Sequence, residues 1–439
     1  MTKLRQLWSS LRSSLWFVPA LMVAAALVLA DILIGAEGVL GSDLMRQHPR
    51  LFGADASGSR EMLSAIASSM ITVAGVTFSL TLVAITQATS QYTPRVLRNF
   101  MGDRANQLFL GYFVAVFAYA LVVLRTIRGG EASAFVPSIA VLAGLGLAIA
   151  SVGMLIFFVH HIASSIQAST IISSIAAETG RAIDRLFPDE LGEAEAEHTD
   201  VDEHLPELRW RNVPSNRSGY LQGVDARKLL ALAEEQSAIL RMTKGLGEFV
   251  TSGEPLLAST GEVEDDTCRK VNAMFTLGHH RTIDQDSAFG VRQIVDIALK
   301  ALSPGVNDAT TAIVSLDYLG TILARMARRR GTAWTRGANG ELRVIGRGAT
   351  FESLAGDTFD EIRDTARDNA PIYLRMIETI GTVAAQTASR GRRRILAGHL
   401  DRTEETALRC LPSEFNRARV RERVAAIRSR LAHAPAPDA

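Results

Sequence analysis

A chain of 439 residues has room for two or three domains, and a formal net charge of +1 excludes the global basic field of a nucleic-acid binder. Hydrophobic residues make up 47% of it but are unevenly placed: the first third is apolar, and the remainder is rich in Arg, Asp and Glu. The two cysteines, Cys268 and Cys410, match no metal spacing and give no disulfide framework, as in a reducing compartment.

Four segments lack formal charge for long enough to cross a bilayer, which takes roughly 20 apolar residues. They predict spans at about 15–34, 63–88, 106–125 and 135–159. A signal peptide is the alternative for the first, through Ala24, Ala25 and Ala26; the continuing apolar run and three further spans argue against cleavage. Four spans put both termini on one side. Lys3, Arg5 and Arg12, with no acid among them, make that side the cytoplasm. The loops are divided: Arg95, Arg98 and Arg104 fall inside, while Arg46, Arg50, Arg60, Arg125 and Arg128 fall outside.

In the second span Ser68, Thr72, Gly75, Ser79 and Thr86 recur at helical spacing, and the other faces hold Ile71, Val73, Val76, Leu80 and Leu82. Such a stripe serves close helix packing through small residues, or lines a pore or cavity. No ionisable residue sits mid-span, which speaks against a proton relay. The fourth span carries Ala140, Gly144 and Ala148 on one face, a pattern for tight packing. It meets no formal charge until Glu178, so the helix is expected to run on as a stalk, giving a transmembrane domain of residues 1–185. His160 and His161 fall at the membrane surface, as solvated caps or as ligands.

Residues 186–217 are acidic and contain proline, and read as a linker. An α+β domain is expected over 218–349, with strands at Tyr220–Val224 and Ser237–Met242 around a helix from Ala226 to Glu235. Gly247 and Gly253, six apart around Phe249 and Val250 and followed by Pro255 and Leu256, suggest the tight turns of a small β-barrel or hammerhead-like module. No lysine lies inside this motif to carry a lipoyl or biotinyl group.

The stretch from His279 to Ala312 is the densest in polar groups. Val291, Ile294, Val295, Ala298 and Leu302 form one apolar helical stripe that Asp286 or Ser287 can cap and that Pro304 and Gly305 end. Asn307 or Asp308 can cap the next helix, with Ile313, Leu316, Leu319, Leu323 and Met326 on its apolar face. Glu341–Gly346 is strand-like, and residues 350–439 read as helical, with Thr350 and Ser353 as a cap. The arginines of this last part, from Arg390 to Arg423, either face anionic lipid or form a solvated face among Glu404, Glu405 and Glu422.

The run Gln285, Asp286, Phe289, Gly290, Arg292, Gln293, Asp296, continued by Ser303, Pro304, Gly305, Asn307, Asp308 and Thr311, resembles a bacterial membrane-protein family known as domain of unknown function 2254. The resemblance extends to Thr77–Leu82, to Tyr92–Arg95 and to Gly247–Leu256, so it spans nearly the whole chain. The family usually has proline after the Asn-Asp pair; this chain has Ala309. The resemblance implies a multi-pass protein of the bacterial inner membrane and assigns no reaction.

No hydrolase elbow, phosphate-binding loop, dinucleotide fingerprint or zinc spacing occurs in the chain. The richest chemical group is His279, His280, Arg281, Asp284, Asp286, Asn307 and Asp308. It could hold a divalent cation or, through Arg281 and the helix starts, an anion; it could equally be helix capping. The reading reached is a homo-oligomeric, channel-like or transport-related protein of four transmembrane helices, with Ser68, Thr72, Gly75, Ser79 and Thr86 as pore-lining candidates. A cytoplasmic α+β domain with a mostly helical C-terminal part regulates it. The alternatives are a membrane-anchored binding or scaffold protein without a pore and, third, a membrane-bound enzyme using the Asp/His group. The expected partners are the lipid bilayer and further copies of the chain, without nucleic acid.

Overall fold

The structure, a computed structural model, describes residues 16–47, 55–91, 103–128, 135–186, 208–329, 335–338 and 341–433. The chain divides into two compact units, Met1–Thr170 and Ile171–Ala439.

The first unit holds α1 (Phe17–Gln47), α2 (Ala56–Gln91), α3 (Arg104–Thr126) and α4 (Ser138–Ser165), each long and apolar enough to cross a membrane. α3 packs against the other three. Its Phe109, Phe113, Tyr119 and Val123 share a core with Leu63, Met70, Ala140 and Phe158. A phenol in hydrocarbon needs an acceptor. Tyr119 donates to the Ala140 carbonyl at 2.7 Å, and Tyr112 to that of Leu147 at 2.8 Å. Gly144 is buried on the small-residue face of α4, where an added Cβ would come within 3.2 Å of Leu63 and 3.4 Å of Tyr119. That face serves close packing.

Two departures of the helix bounds from the apolar pattern have local causes. α2 starts at Ala56, ahead of its apolar run, because Asp55 accepts from Gly58 N at 2.8 Å. The expected continuous stalk is broken: α4 stops at Ser165, and α5 (Ala168–Leu186) begins anew. Just before the break, Ser164 and Ser165 donate their hydroxyls to the His160 and His161 carbonyls, at 2.9 and 2.7 Å. Such back-bonding competes with the helix ladder and bends it. His161 itself meets Asp103, the N-cap of α3, at 2.6 Å.

The second unit begins within α5, near its start, and goes on to two sheets. Strands β1 (Arg211–Pro214), β2 (Gly219–Val224), β3 (Leu240–Met242), β4 (Phe249–Val250), β5 (Pro255–Ser259), β6 (Phe275–Gly278), β7 (Thr335–Ala338) and β8 (Glu341–Ile345) form a five-stranded sheet ordered β1-β5-β3-β8-β7 and a three-stranded sheet ordered β4-β2-β6. Among the described residues only β3 and β8 pair in parallel. Leu221, Val250 and Leu277 of the small sheet share one core with Val213, Leu240, Leu257 and Val344 of the large one. β1 lies inside the stretch read as linker; its Val213 is fully buried against β5, and residues 187–207 lie outside the described ones. β3 is shorter than expected. The chain leaves α6 (Ala226–Glu235) through Ser237 at φ +48°, and Ala238 N bonds to the Ala233 carbonyl at 2.9 Å, closing the helix end. The two motif glycines, Gly247 and Gly253, adopt φ of +84° and +88°, the left-handed turns their spacing suggested.

The remaining helices are α7 (Asp265–Met274), α8 (Ser287–Ala301), α9 (Ala309–Ala327), α10 (Phe351–Thr365), α11 (Ala370–Ala384), α12 (Arg390–Cys410) and α13 (Glu414–His433). Thr350 and Ser353 form a reciprocal capping box at α10. His399 of α12 is buried beside Phe359, with Nδ1 3.1 Å from Arg402 and 3.5 Å from Asp360. Burial, with the positive charge of Arg402 and Arg363, pushes the imidazole from 6.5 down to about 4, against the pull of Asp360. Between those values the unfolded chain binds a proton that the folded one refuses. The second unit should therefore lose stability as pH falls from 6.5 through about 4, by roughly 3 kcal/mol over the window. Thermal melts across this range check it. His399→Gln should flatten the slope, and an equal slope in the variant would rule out this origin.

Candidate functional site

The apolar stripe of α8 is buried as its spacing requires, and this fixes where the ends of the helix lie. Asp286 is the N-cap, with Oδ1 accepting from Phe289 N at 3.0 Å. The same carboxylate receives both arms of Arg281: Nε to Oδ2 at 2.8 Å and Nη2 to Oδ1 at 3.1 Å. Such a fork holds both planes in register. The Arg281 guanidinium also lies over the Phe289 ring, 5.1 Å from its centroid. Asp286 is 3% exposed and Arg281 29%. Gly247 stands against this pair, and a Cβ there would overlap the Asp286 carboxylate. Gln285 ties the turn to β2 by accepting from Val224 N at 2.9 Å.

At the other end of α8, Asp308 caps α9. It accepts from Thr311 N at 3.0 Å and from the Thr311 hydroxyl at 2.5 Å, and these bonds hold its carboxyl below the usual range. Asn307 takes the left-handed turn before it, at φ +48°. Asp308 N returns to the Ala301 carbonyl at 2.8 Å. The 15 residues of α8 thus stand between Asp286 and Asp308, roughly 20 Å at 1.5 Å per residue.

The seven residues that look continuous in sequence are therefore distributed. Arg281 and Asp286 form one node, Asn307 and Asp308 another, and His279, His280 and Asp284 have exposed side chains. Among the described residues no three His, Cys, Asp or Glu side chains gather closely enough to hold a metal ion.

Arg292, further along α8, makes a second and separate set of ion pairs. It pairs with Asp296 at 2.7 Å within α8 and crosses to Glu361 of α10. The i,i+4 spacing could reveal the first bond; nothing local reveals the second.

In the membrane unit, Ser68, Thr72, Gly75, Ser79 and Thr86 are all exposed, on the side of α2 opposite the buried Leu63, Ile66, Met70, Ala74 and Thr77. Thr72 and Thr86 bond back to the carbonyls of Ser68 and Leu82, at 2.8 and 2.9 Å.

A groove of about 1130 Å³ between α9, α11 and α13 is one that the sequence did not reveal. Arg325, Arg328, Arg375, Arg423 and Arg430 line it, with Asp317 and Glu378 as the acids. These residues come from three separated segments, and no motif joins them.

Two relatives, an uncharacterized protein of Mycobacterium tuberculosis and one of Mycobacterium bovis, are each 34% identical over 332 residues, or 73% of this chain. The chain spans 61% of the length of these relatives. No solved structure matches it. A family described as predicted membrane protein, DUF2254, matches residues 12–382. Four membrane-length helices followed by a mixed α+β region agree with that description, and the chain belongs to this family.

Proposed function

We propose that the protein acts as a homo-oligomeric, channel-like or transport-related membrane protein, with both termini and the second unit in the cytoplasm, where that unit regulates the assembly. The observation that carries this reading is the direction of the hydroxylated face of α2. Ser68, Thr72, Gly75 and Ser79 point away from the core of their own bundle. Among the described residues of one copy these side chains stand exposed; neighbouring copies related by rotation would bring several such faces together. Hydroxyl groups so placed can replace part of a solute's hydration shell.

The test is cysteine scanning along α2 with a membrane-impermeant thiol reagent, in a full-length background lacking Cys268 and Cys410. Labelling is expected at Ser68, Thr72, Gly75 and Ser79, with protection at the buried Met70 and Ala74 and at the flanking Leu80. Protection at every mid-span position would mean that the face is dry. The reading would then pass to a membrane-anchored binding protein without a pore, which the back-bonded hydroxyls of Thr72 and Thr86 favour.

A further inference from the structure

We propose that the groove between α9, α11 and α13 binds a phosphate-bearing ligand, with Arg328 and Arg430 as its principal contacts and Arg325 and Arg423 beside them. The site lies wholly within the second unit, so it stands or falls independently of any path along α2.

The charges of the groove do not cancel. Arg375 takes up Asp317 and one oxygen of Glu378, at 3.1 Å for the latter. Arg423 takes the other Glu378 oxygen at 3.1 Å, and Arg325 reaches outside the lining to Asp184 at 2.8 Å. Both acids are then spent. Arg328 is left with the neutral Gln386 amide, at 2.6 and 3.0 Å. Arg430 makes no ion pair or hydrogen bond among the described residues. Two guanidiniums without counter-charge thus border one cavity. A guanidinium presents a planar fork of N–H donors that matches phosphate oxygens in pairs.

The floor explains why the space is open. Gly320 and Gly381 let the side chains of Thr379 and Ile427 seat directly against the neighbouring helix, where a Cβ would overlap them, and Ala324 and Ala384 add only methyl groups. A groove of about 1130 Å³ exceeds what a bare phosphate needs, so the fit is to a phosphate carried on a larger, partly apolar body.

One competing role has to be separated. The pairs Gly320–Thr379, Arg328–Gln386, Glu378–Arg423 and Gly381–Ile427 show the three helices running parallel, so their C-terminal ends gather at the end of the groove where Arg328 and Arg430 stand. Cations there also offset the helix dipoles, about half a charge each. Dipole compensation, however, engages none of the N–H donors of Arg430.

The experiment uses the full-length protein. Calorimetric titration with inorganic pyrophosphate in neutral detergent forms one arm. Thermal melts in phosphatidylcholine nanodiscs with and without phosphatidylglycerol form the other. Saturable pyrophosphate binding identifies a soluble phosphate ligand, and stabilisation by phosphatidylglycerol alone identifies a lipid headgroup; either supports the site. The double variant Arg328→Gln/Arg430→Gln should weaken the observed binding about tenfold or more, the loss expected for charged hydrogen bonds. Arg421→Gln, whose partner is Glu414, should leave it unchanged. The proposal is overturned if neither probe acts on the wild type, or if the double variant melts lower while binding as before, which is the dipole-compensation result.

Discussion

Asp286→Ala should lower the stability of the second unit by about 2–4 kcal/mol. Part of this is the cap: an N-cap carboxylate replaced by alanine costs about 0.5–2 kcal/mol. The rest comes from Arg281, which loses both bonds of its fork and is left in a largely enclosed place. Breaking a fully buried pair costs about 3–5 kcal/mol, and the 29% exposure of Arg281 lets water recover some of that. Asp308→Ala is the comparison. It removes a cap of the same geometry without an arginine partner, and should cost only about 0.5–2 kcal/mol. Asp286→Asn keeps an oxygen for Phe289 N and should fall between. Thermal melts of the full-length protein decide it. Equal losses in Asp286→Ala and Asp308→Ala would mean that the Arg281 fork contributes nothing beyond capping.

The second large effect is expected at Arg392. Its side chain is buried, its guanidinium lies 5.5 Å from the Phe351 ring centroid, and Nη1 donates to the carbonyls of Met326 and Ala327 at 3.1 Å and of Arg329 at 2.7 Å. The last carbonyls of a helix have no partner within it. Here one cation from α12 serves the end of α9 from below. Arg392→Ala takes this donor from the Ala327 and Arg329 carbonyls, while that of Met326 keeps Arg329 N at 3.1 Å, and should cost about 2–5 kcal/mol. Arg392→Lys restores the charge without the flat surface against Phe351, so it should recover only part. Hydrogen exchange in the last turn of α9 should rise in Arg392→Ala well before it rises at Ile294 in the α8 core. Exchange that rises equally in both would show a global loss instead of a lost cap.

What could be read in the sequence is what the chain decides within a few residues. Asp286, Asp308 and Thr350 announce helix starts because a cap and its target lie three residues apart. Gly247 and Gly253 announce turns because only their own dihedrals are at stake. The four spans follow from their apolar runs. Other features need partners far along the chain. That Asp286 and Asp308 stand at opposite ends of a helix, rather than side by side, follows only once α8 is built. The crossing of Arg292 to Glu361, the reach of Arg392 to α9, and the arginine groove each join segments that no short pattern connects. The hydroxyl stripe of α2 is visible as a periodicity, but which way it faces depends on which other face the rest of the bundle covers.

The parallel pairing of β3 with β8 has a consequence for how the protein is made. Leu240 lies opposite Val344, so the middle of the five-stranded sheet waits for a segment that leaves the ribosome long after its neighbour. Until then β3 keeps one open edge of unpaired backbone groups, although β5 could already have zipped to its other edge and β1 to β5. Pairings this distant in sequence close slowly. The membrane helices are synthesised first, so insertion into the bilayer can be under way while the sheet is still incomplete. A nascent chain stopped before Glu341 would carry a sticky strand tethered to the membrane, a species for chaperones or proteases to meet before the second unit is complete.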